Sequence, residues 1–252
     1  MAKIAHGIVA SMSPLFPRLA VGAAIMAIGP GCGTVVRSPP DGDGTTQDQP
    51  SDAGIGSSDA PIAPPVAVTF TDGSDAKKVG SGDTPMTDVC SSSRALIAFS
   101  GGLSDLDTDF VVVGSLRGAC ATVGVGPATA QGYVAAPGST SALPQRGNVN
   151  DAPWSLVCPA SQFVVGVAVR TGDGMDQFRL QCAPLSLIRS GDTWVGQTGT
   201  VTLGADTVGG DGGSPDSALC PAGQVATGYE TELWEGQEVA SIALKCSVVV
   251  GQ

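Results

Sequence analysis

The segment from Cys158 to Cys182, CPASQFVVGVAVRTGDGMDQFRLQC, limits this chain more than any other, because the chain repeats it. After Cys158-Pro159, bulky residues at Phe163, Val165, Val167 and Val169 alternate with Val164, Gly166 and Ala168. That is a strand period rich in β-branched residues. Thr171-Gly172-Asp173-Gly174 supplies turn chemistry, and Phe178, Leu180 and Cys182 then alternate with Gln177, Arg179 and Gln181. Strand, Gly/Asp turn and strand predict a β-hairpin. A second copy runs from Cys220 to Cys246, with Cys220-Pro-Ala-Gly-Gln on Cys158-Pro-Ala-Ser-Gln, Gly228 on Gly166, and Ile242-Ala-Leu-Lys-Cys246 on Phe178-Arg-Leu-Gln-Cys182. A degenerate third copy opens at Cys90, runs through Ala95–Phe99 and Gly101-Gly102, and returns through Phe110–Val113 to Cys120.

The repeat settles the cysteines. The chain has seven: Cys32 stands apart and the other six fall two to a repeat. Six cysteines can pair in many ways, and the repeat selects Cys90–Cys120, Cys158–Cys182 and Cys220–Cys246. Zinc sites favour closely spaced cysteine pairs and histidine, and neither is present after His6. Three disulfides imply an oxidising compartment.

Residues 1–31 read as an export signal. Lys3 and Arg18 precede the apolar run Leu19–Ile28, which is too short to span a bilayer and suits a signal core. Residues 32–65 are rich in Pro, Gly, Ser and Asp and read as a disordered tether. Asp41-Gly42-Asp43-Gly44 lacks the later ligands of a calcium loop and reads as spacer. Residues 66–252 form the folded head, with periods of about 66–120, 121–182 and 183–252. Each period has room for a linking strand pair and a disulfide hairpin, so the expected fold is all-β, with three four-stranded antiparallel sheets in pseudo-threefold symmetry. A β-trefoil is the alternative. The 36 glycines and 18 prolines suit a turn-rich chain, and aromatic residues make up only 4%, so Val, Ala, Leu and Ile must build the core.

Gly31-Cys32 resembles the end of the lipobox of bacterial lipoproteins, which implies acylation of Cys32 and attachment to a membrane; cleavage near Ala27 is the alternative. The repeated Cys-Pro-Ala-x-Gln-(x)3-Gly with a returning Leu-x-Cys resembles the vitelline membrane outer layer protein family and, more loosely, the jacalin-type lectins. The resemblance covers residues 66–252 and implies a β-prism. Jacalin-type lectins hold sugars on a Gly-x-x-x-Asp loop, through backbone amides and one carboxylate, helped by a second loop. Gly172-Asp173-Gly174-Met175-Asp176 has that form, as does Gly101-Gly102-Leu103-Ser104-Asp105. The third repeat has Ala240 in place of the acid. No stretch of the sequence identifies itself as the second loop.

Several chemistries are excluded. The only histidine is His6, inside the expected signal, so no Ser-His-Asp or Cys-His catalyst remains. No phosphate-binding or dinucleotide fingerprint occurs, so no cofactor and no metal is expected. The net charge is −11 with no basic cluster, which argues against nucleic acid. The acids Asp105, Asp107, Asp109, Asp173, Asp176, Glu230, Glu232, Glu235 and Glu238 read as solvated turn residues, ahead of a glycosidase pair or a calcium ligand set. Trp234, flanked by glutamates, is the tryptophan expected to be exposed, while Trp154 and Trp194 are expected in the core. Arg170 and Arg179 are expected to make surface pairs.

The expected function is therefore a non-catalytic, envelope-tethered β-prism head that binds carbohydrate or surface glycan. Its expected binding residues are Gly172, Asp173, Asp176, Gly101, Asp105 and Trp234. The alternatives are a structural or protein-interacting envelope protein without a small-molecule ligand and a glycan-active enzyme. The expected location is a bacterial envelope, as an outer-membrane lipoprotein facing periplasm or cell surface, or secretion.

Overall fold

The computed structural model describes residues 63–107, 110–148 and 152–252. The expected signal (1–31), Cys32, the tether up to residue 62 and Asp109 lie outside the described residues. The described residues form strands and turns with no helix. In chain order the strands are β1 (Val68–Asp72), β2 (Val79–Gly80), β3 (Thr84–Val89), β4 (Arg94–Asp107), β5 (Phe110–Thr129), β6 (Gly132–Ala142), β7 (Arg146–Gly147) and β8 (Ala152–Val157). They continue as β9 (Gln162–Thr171), β10 (Met175–Ser190), β11 (Thr193–Thr198), β12 (Thr202–Leu203), β13 (Val208–Gly209), β14 (Ser214–Leu219), β15 (Gln224–Trp234) and β16 (Glu238–Gly251).

Each disulfide hairpin is the centre of a four-stranded antiparallel sheet. The hairpin β4–β5 is flanked by β8 and β7. The hairpin β9–β10 is flanked by β14 and β13. The hairpin β15–β16 is flanked by β3 and β2. The three sheets repeat one topology and form a β-prism.

The linking strands do not pair with one another. They straddle a hairpin, one on each edge, in a Greek key. Sheet membership is also offset from the sequence periods: β7 and β8 flank the hairpin that precedes them, as do β13 and β14. The last hairpin is flanked by β2 and β3 from the start of the head, so early and late strands of the head close the third sheet.

The three bridges join Cys90 to Cys120, Cys158 to Cys182 and Cys220 to Cys246, with Cα separations of 5.8, 5.7 and 5.7 Å. Beside each one the hairpin carries a β-bulge, which leaves Ile97, Val165 and Thr227 without cross-strand partners. The carbonyls of these bulges accept the amides of the cysteines that open other hairpins. Cys158 N donates to Ile97 O, Cys220 N to Val165 O and Cys90 N to Thr227 O, each within 2.8–2.9 Å. The three repeats are thus laced into a ring at the level of the disulfides.

A bulge also shifts which face of the strand points inward, and two cores result. On one side of the ring, Val167, Val169, Phe178 and Leu180 join Leu96, Phe99, Tyr229 and Leu244 between the three sheets. The rings of Phe99 and Phe178 lie 5.3 Å apart, and those of Phe99 and Tyr229 lie 5.2 Å apart. On the other side, Phe163, Val165, Val123, Leu185, Leu187 and Val249 build a second cluster. There β5, β10 and β16 run on past the prism to pair with β6, β11 and β1. Tyr133 and Trp194 pack edge to face, 5.3 Å apart, against this cluster.

Candidate functional site at one end of the prism

The hairpin turns gather at one end of the prism. A Cβ on Gly174, in the second turn, would come within 3.8 Å of Val112 near the first and 4.0 Å of Val239 near the third. Gly210 N donates to Val111 O at 3.2 Å, and Asn148 N donates to Gly114 O at 3.0 Å and Gln237 O at 2.9 Å. The short strands β2, β7 and β13 end here, at Gly80, Gly147 and Gly209. All three glycines have left-handed backbones, with φ of 76°, 89° and 93°. A Cβ on any of them would collide with a carbonyl oxygen: that of Ala240, Gly114 or Asp176 respectively. Three equivalent clashes at three equivalent registers show that Asp176, Ala240 and Gly114 are one position of the pseudo-threefold repeat.

Asp176 is the only acid at that position. It is the second residue of the return strand β10, beyond the Thr171–Gly174 turn, and is half-buried. The loop after β13, Gly209-Gly210-Asp211-Gly212-Gly213, folds over it. A Cβ on Gly212 or Gly213 would run into its carboxylate, and one on Gly172 would stand 3.3 Å from Oδ2. Glycine at these places lets backbone approach the acid closely. Asp176 Oδ2 is buried and accepts no hydrogen bond. Burial pushes the Asp176 carboxyl above the usual carboxylate range; its own amide, the Gly172 amide and Arg170 pull it back, and Asp173 adds to the rise.

Two further side chains fix the glycine loop. Arg170 Nε donates to Gly212 O at 2.7 Å and its Nη2 donates to Gly213 O at 2.9 Å. Gln177 Nε2 donates to Gly210 O at 3.1 Å. Arg170 therefore holds loop carbonyls, and Arg179 likewise donates to Gly204 O, in place of the expected surface ion pairs.

The other expected residues are placed as follows. Asp173 is exposed in the same turn as Gly172. Trp234 is exposed at the tip of the third hairpin, next to the left-handed residues Glu235 and Gly236, at the same end of the prism. Gly101 and Asp105 do not bound a loop. Both lie inside β4, where Gly101 pairs with Leu116 and Trp154 and Asp105 pairs with Val111. A Cβ on Gly101 would collide with Ser115 O, so close backbone contact accounts for that glycine. Trp154 is buried and Trp194 half-buried.

Glu230 and Glu232 are strand residues rather than solvated turn residues. Glu230 lies 3.5 Å from Lys245, and the buried Glu232 pairs with Lys78 at 2.7 Å. Among the described residues no group of three or more His, Cys, Asp or Glu side chains is arranged to hold a metal ion.

The sequence did not reveal the role of the loop at Gly209–Gly213 or of Arg170. The glycine run is visible in the sequence, but its place against Asp176 depends on the pairing of Gln177 with Gly209 across the β10–β13 edge.

No protein-family model matches the chain, and no curated protein matches it. Solved lectin structures do. Frutapin, a lectin from Artocarpus incisa, matches at 9% identity and a TM-score of 0.41, over 70% of this chain and 98% of its own. Calystegia sepium agglutinin matches at 12% identity and a TM-score of 0.41, over 70% and 97%. A mannose-specific jacalin-related lectin from Morus nigra, solved with mannose, matches at 14% identity and a TM-score of 0.38, over 70% and 96%.

Proposed function

We propose that the protein is a non-catalytic carbohydrate-binding head whose site is the Gly172–Asp176 turn together with the Gly209–Gly213 loop. One observation carries this reading: a half-buried carboxylate with an unpartnered oxygen stands where the fold's two other copies hold Ala240 and Gly114. The fold has no need of an acid at that position. An ionised carboxylate is a strong acceptor for hydroxyl donors, and the flanking glycines let main-chain amides approach the same ligand. A small number of polar groups in fixed places is what a sugar site requires. In the test, a mixed-glycan array is probed with the parent protein and with Asp176→Ala. Signal from the parent that is lost in the variant supports the reading; equal signal from both refutes it.

The head is further proposed to be exported and tethered to a bacterial envelope through acylated Cys32. Support comes from three disulfides, which persist in oxidising compartments, and from the apolar run Leu19–Ile28 ahead of Gly31-Cys32. Intact mass of the mature protein reports lipid on Cys32.

A second reading, a head that packs against another envelope protein, is favoured by a ring of exposed apolar side chains. Val89, Val157 and Leu219 immediately precede the three opening cysteines and are 57%, 64% and 48% exposed. A silent glycan array together with recovery of one partner by crosslinking through this ring would favour it.

A further inference from the structure

We propose that Arg170 is the positioning residue of this site. It holds the Gly209–Gly213 loop by the carbonyls of Gly212 and Gly213 and so turns the Gly213 amide outward for a ligand, while the Gly210 amide is taken up by Val111 O and Asp176 O. The ligand's identity rests on the carbohydrate reading above; the latch itself does not.

The argument starts from the guanidinium, whose planar fork presents several donors in fixed directions. Here two of them take Gly212 O and Gly213 O, at 2.7 and 2.9 Å. In a trans peptide the N–H points opposite the C=O. With the Gly212 carbonyl turned onto Arg170, the Gly213 amide is turned away from it. The left-handed φ of Gly213, 61°, permits this bend.

The pseudo-threefold repeat supplies internal controls. Arg170 pairs with Pro215, and the equivalent pairs are Gly102 with Pro153 and Glu232 with Pro85. Gly102 has no side chain to offer its loop. Glu232 works with the opposite polarity, because its Oε2 accepts from Gly82 N at 2.9 Å. In the third sheet the acid consumes a loop amide, whereas in the second the cation consumes the Gly212 and Gly213 carbonyls and spares the Gly213 amide. The sheet with the spared amide is also the one that carries Asp176. Donor and acceptor thus meet at one of three equivalent places, and the fold is built without a guanidinium at the other two.

Two full-chain variants test the latch, Arg170→Gln and Arg170→Lys, with three readouts. Amide hydrogen exchange at the start of β14, which the latched loop leads into and which pairs with β9, is expected to speed up by about tenfold or more in both, because bonds to a charged donor are lost and one ammonium cannot replace the fork. The carboxyl titration of Asp176, followed by carbon NMR, is expected to move to higher pH in Arg170→Gln and to stay near the parent value in Arg170→Lys, which keeps the charge. Array signal is expected to fall in both. Exchange and titration that match the parent in both variants would overturn the proposal. So would a lowered melting temperature with neither readout moved, since that is the mark of a purely structural arginine. Absence of array binding by the parent would count against the carbohydrate reading alone. Exchange and titration need no sugar and decide the latch by themselves.

Discussion

Replacing Asp176 by alanine should leave the protein at least as stable at neutral pH, although it removes the centre of the proposed site. The carboxylate has a buried oxygen without a hydrogen-bond partner, and an unsatisfied buried acceptor costs about 1–3 kcal/mol. Asp176 is only half-buried, so the low end, about 1 kcal/mol, applies. In a domain of this size that corresponds to roughly 2–4 °C in melting temperature. Attraction to Arg170 is lost in the variant and reduces the gain. The expected outcome at pH 7 is therefore a melting temperature between the parent's and roughly 4 °C above it.

The effect has a pH signature. Burial raises the Asp176 carboxyl above its ordinary value of 3.8. A group with a raised folded-state value favours the folded state when protonated, and it loses that contribution as pH rises through the raised value. The variant's advantage should thus be largest above the raised value and should shrink as pH falls towards 3.8. Calorimetric melts of parent and variant between pH 3 and pH 8 provide the assay. A variant that melts several degrees lower at pH 7 would refute the reasoning, because the carboxylate would then be holding the glycine loop together.

Glu232 predicts the opposite pH trend. Its hydrogen bond to Lys78, with help from Gly82 N and Ser241, holds its carboxyl below the ordinary value of 4.5. Its contribution, at most about 1 kcal/mol given the exposed lysine, is present above that value and lost as pH falls through the lowered one; Glu232→Gln should flatten this part of the acid limb of the stability profile. Tyr229 is buried and its hydroxyl accepts from Gly118 N at 3.2 Å, so Tyr229→Phe should cost about 1–3 kcal/mol in denaturant titrations by leaving that amide unpaired. The bridges close spans of 30, 24 and 26 residues. Removing any one as a paired Cys→Ser change should cost about 3–4 kcal/mol, with differences of only about 0.2 kcal/mol among the three, and unequal losses would show that one repeat depends on its bridge more than the others do.

Much of the fold was legible because it is written three times. The cysteine pairs followed from the repeat, and the alternation through Val167, Val169, Phe178 and Leu180 marks a face that the structure buries. The bulges at Ile97, Val165 and Thr227 were not legible, because an inserted residue leaves the apolar pattern readable on either face. Phe163 and Val165 looked continuous with Val167, yet they fill a different core. The Greek-key edges were hidden for another reason. Each flanking strand pairs with a hairpin it does not follow directly in the hydrophobic pattern, and β2, β7 and β13 are each only two residues long.

The site was half legible. Gly172 and Asp176 bound a real turn, but the same five-residue form at Gly101–Asp105 lies flat in a strand. Spacing alone cannot separate a glycine that turns the chain from one that makes room for Ser115 O. Asp105 therefore looked like the first repeat's acid, whereas the equivalent residue is Gly114, a fact visible only through its contact with Gly147. Arg170 resembles any surface arginine until the carbonyls of Gly212 and Gly213 are seen in its fork.

Chemical-shift mapping on labelled protein, titrated with the glycans that score on the array, tests the central claim most directly. The account predicts shifts concentrated at Gly172–Asp176 and Gly209–Gly213, with Gly80–Asp83 and Gly147-Asn148 unmoved. Equal shifts at all three loops, or shifts confined to some other part of the head, would contradict it.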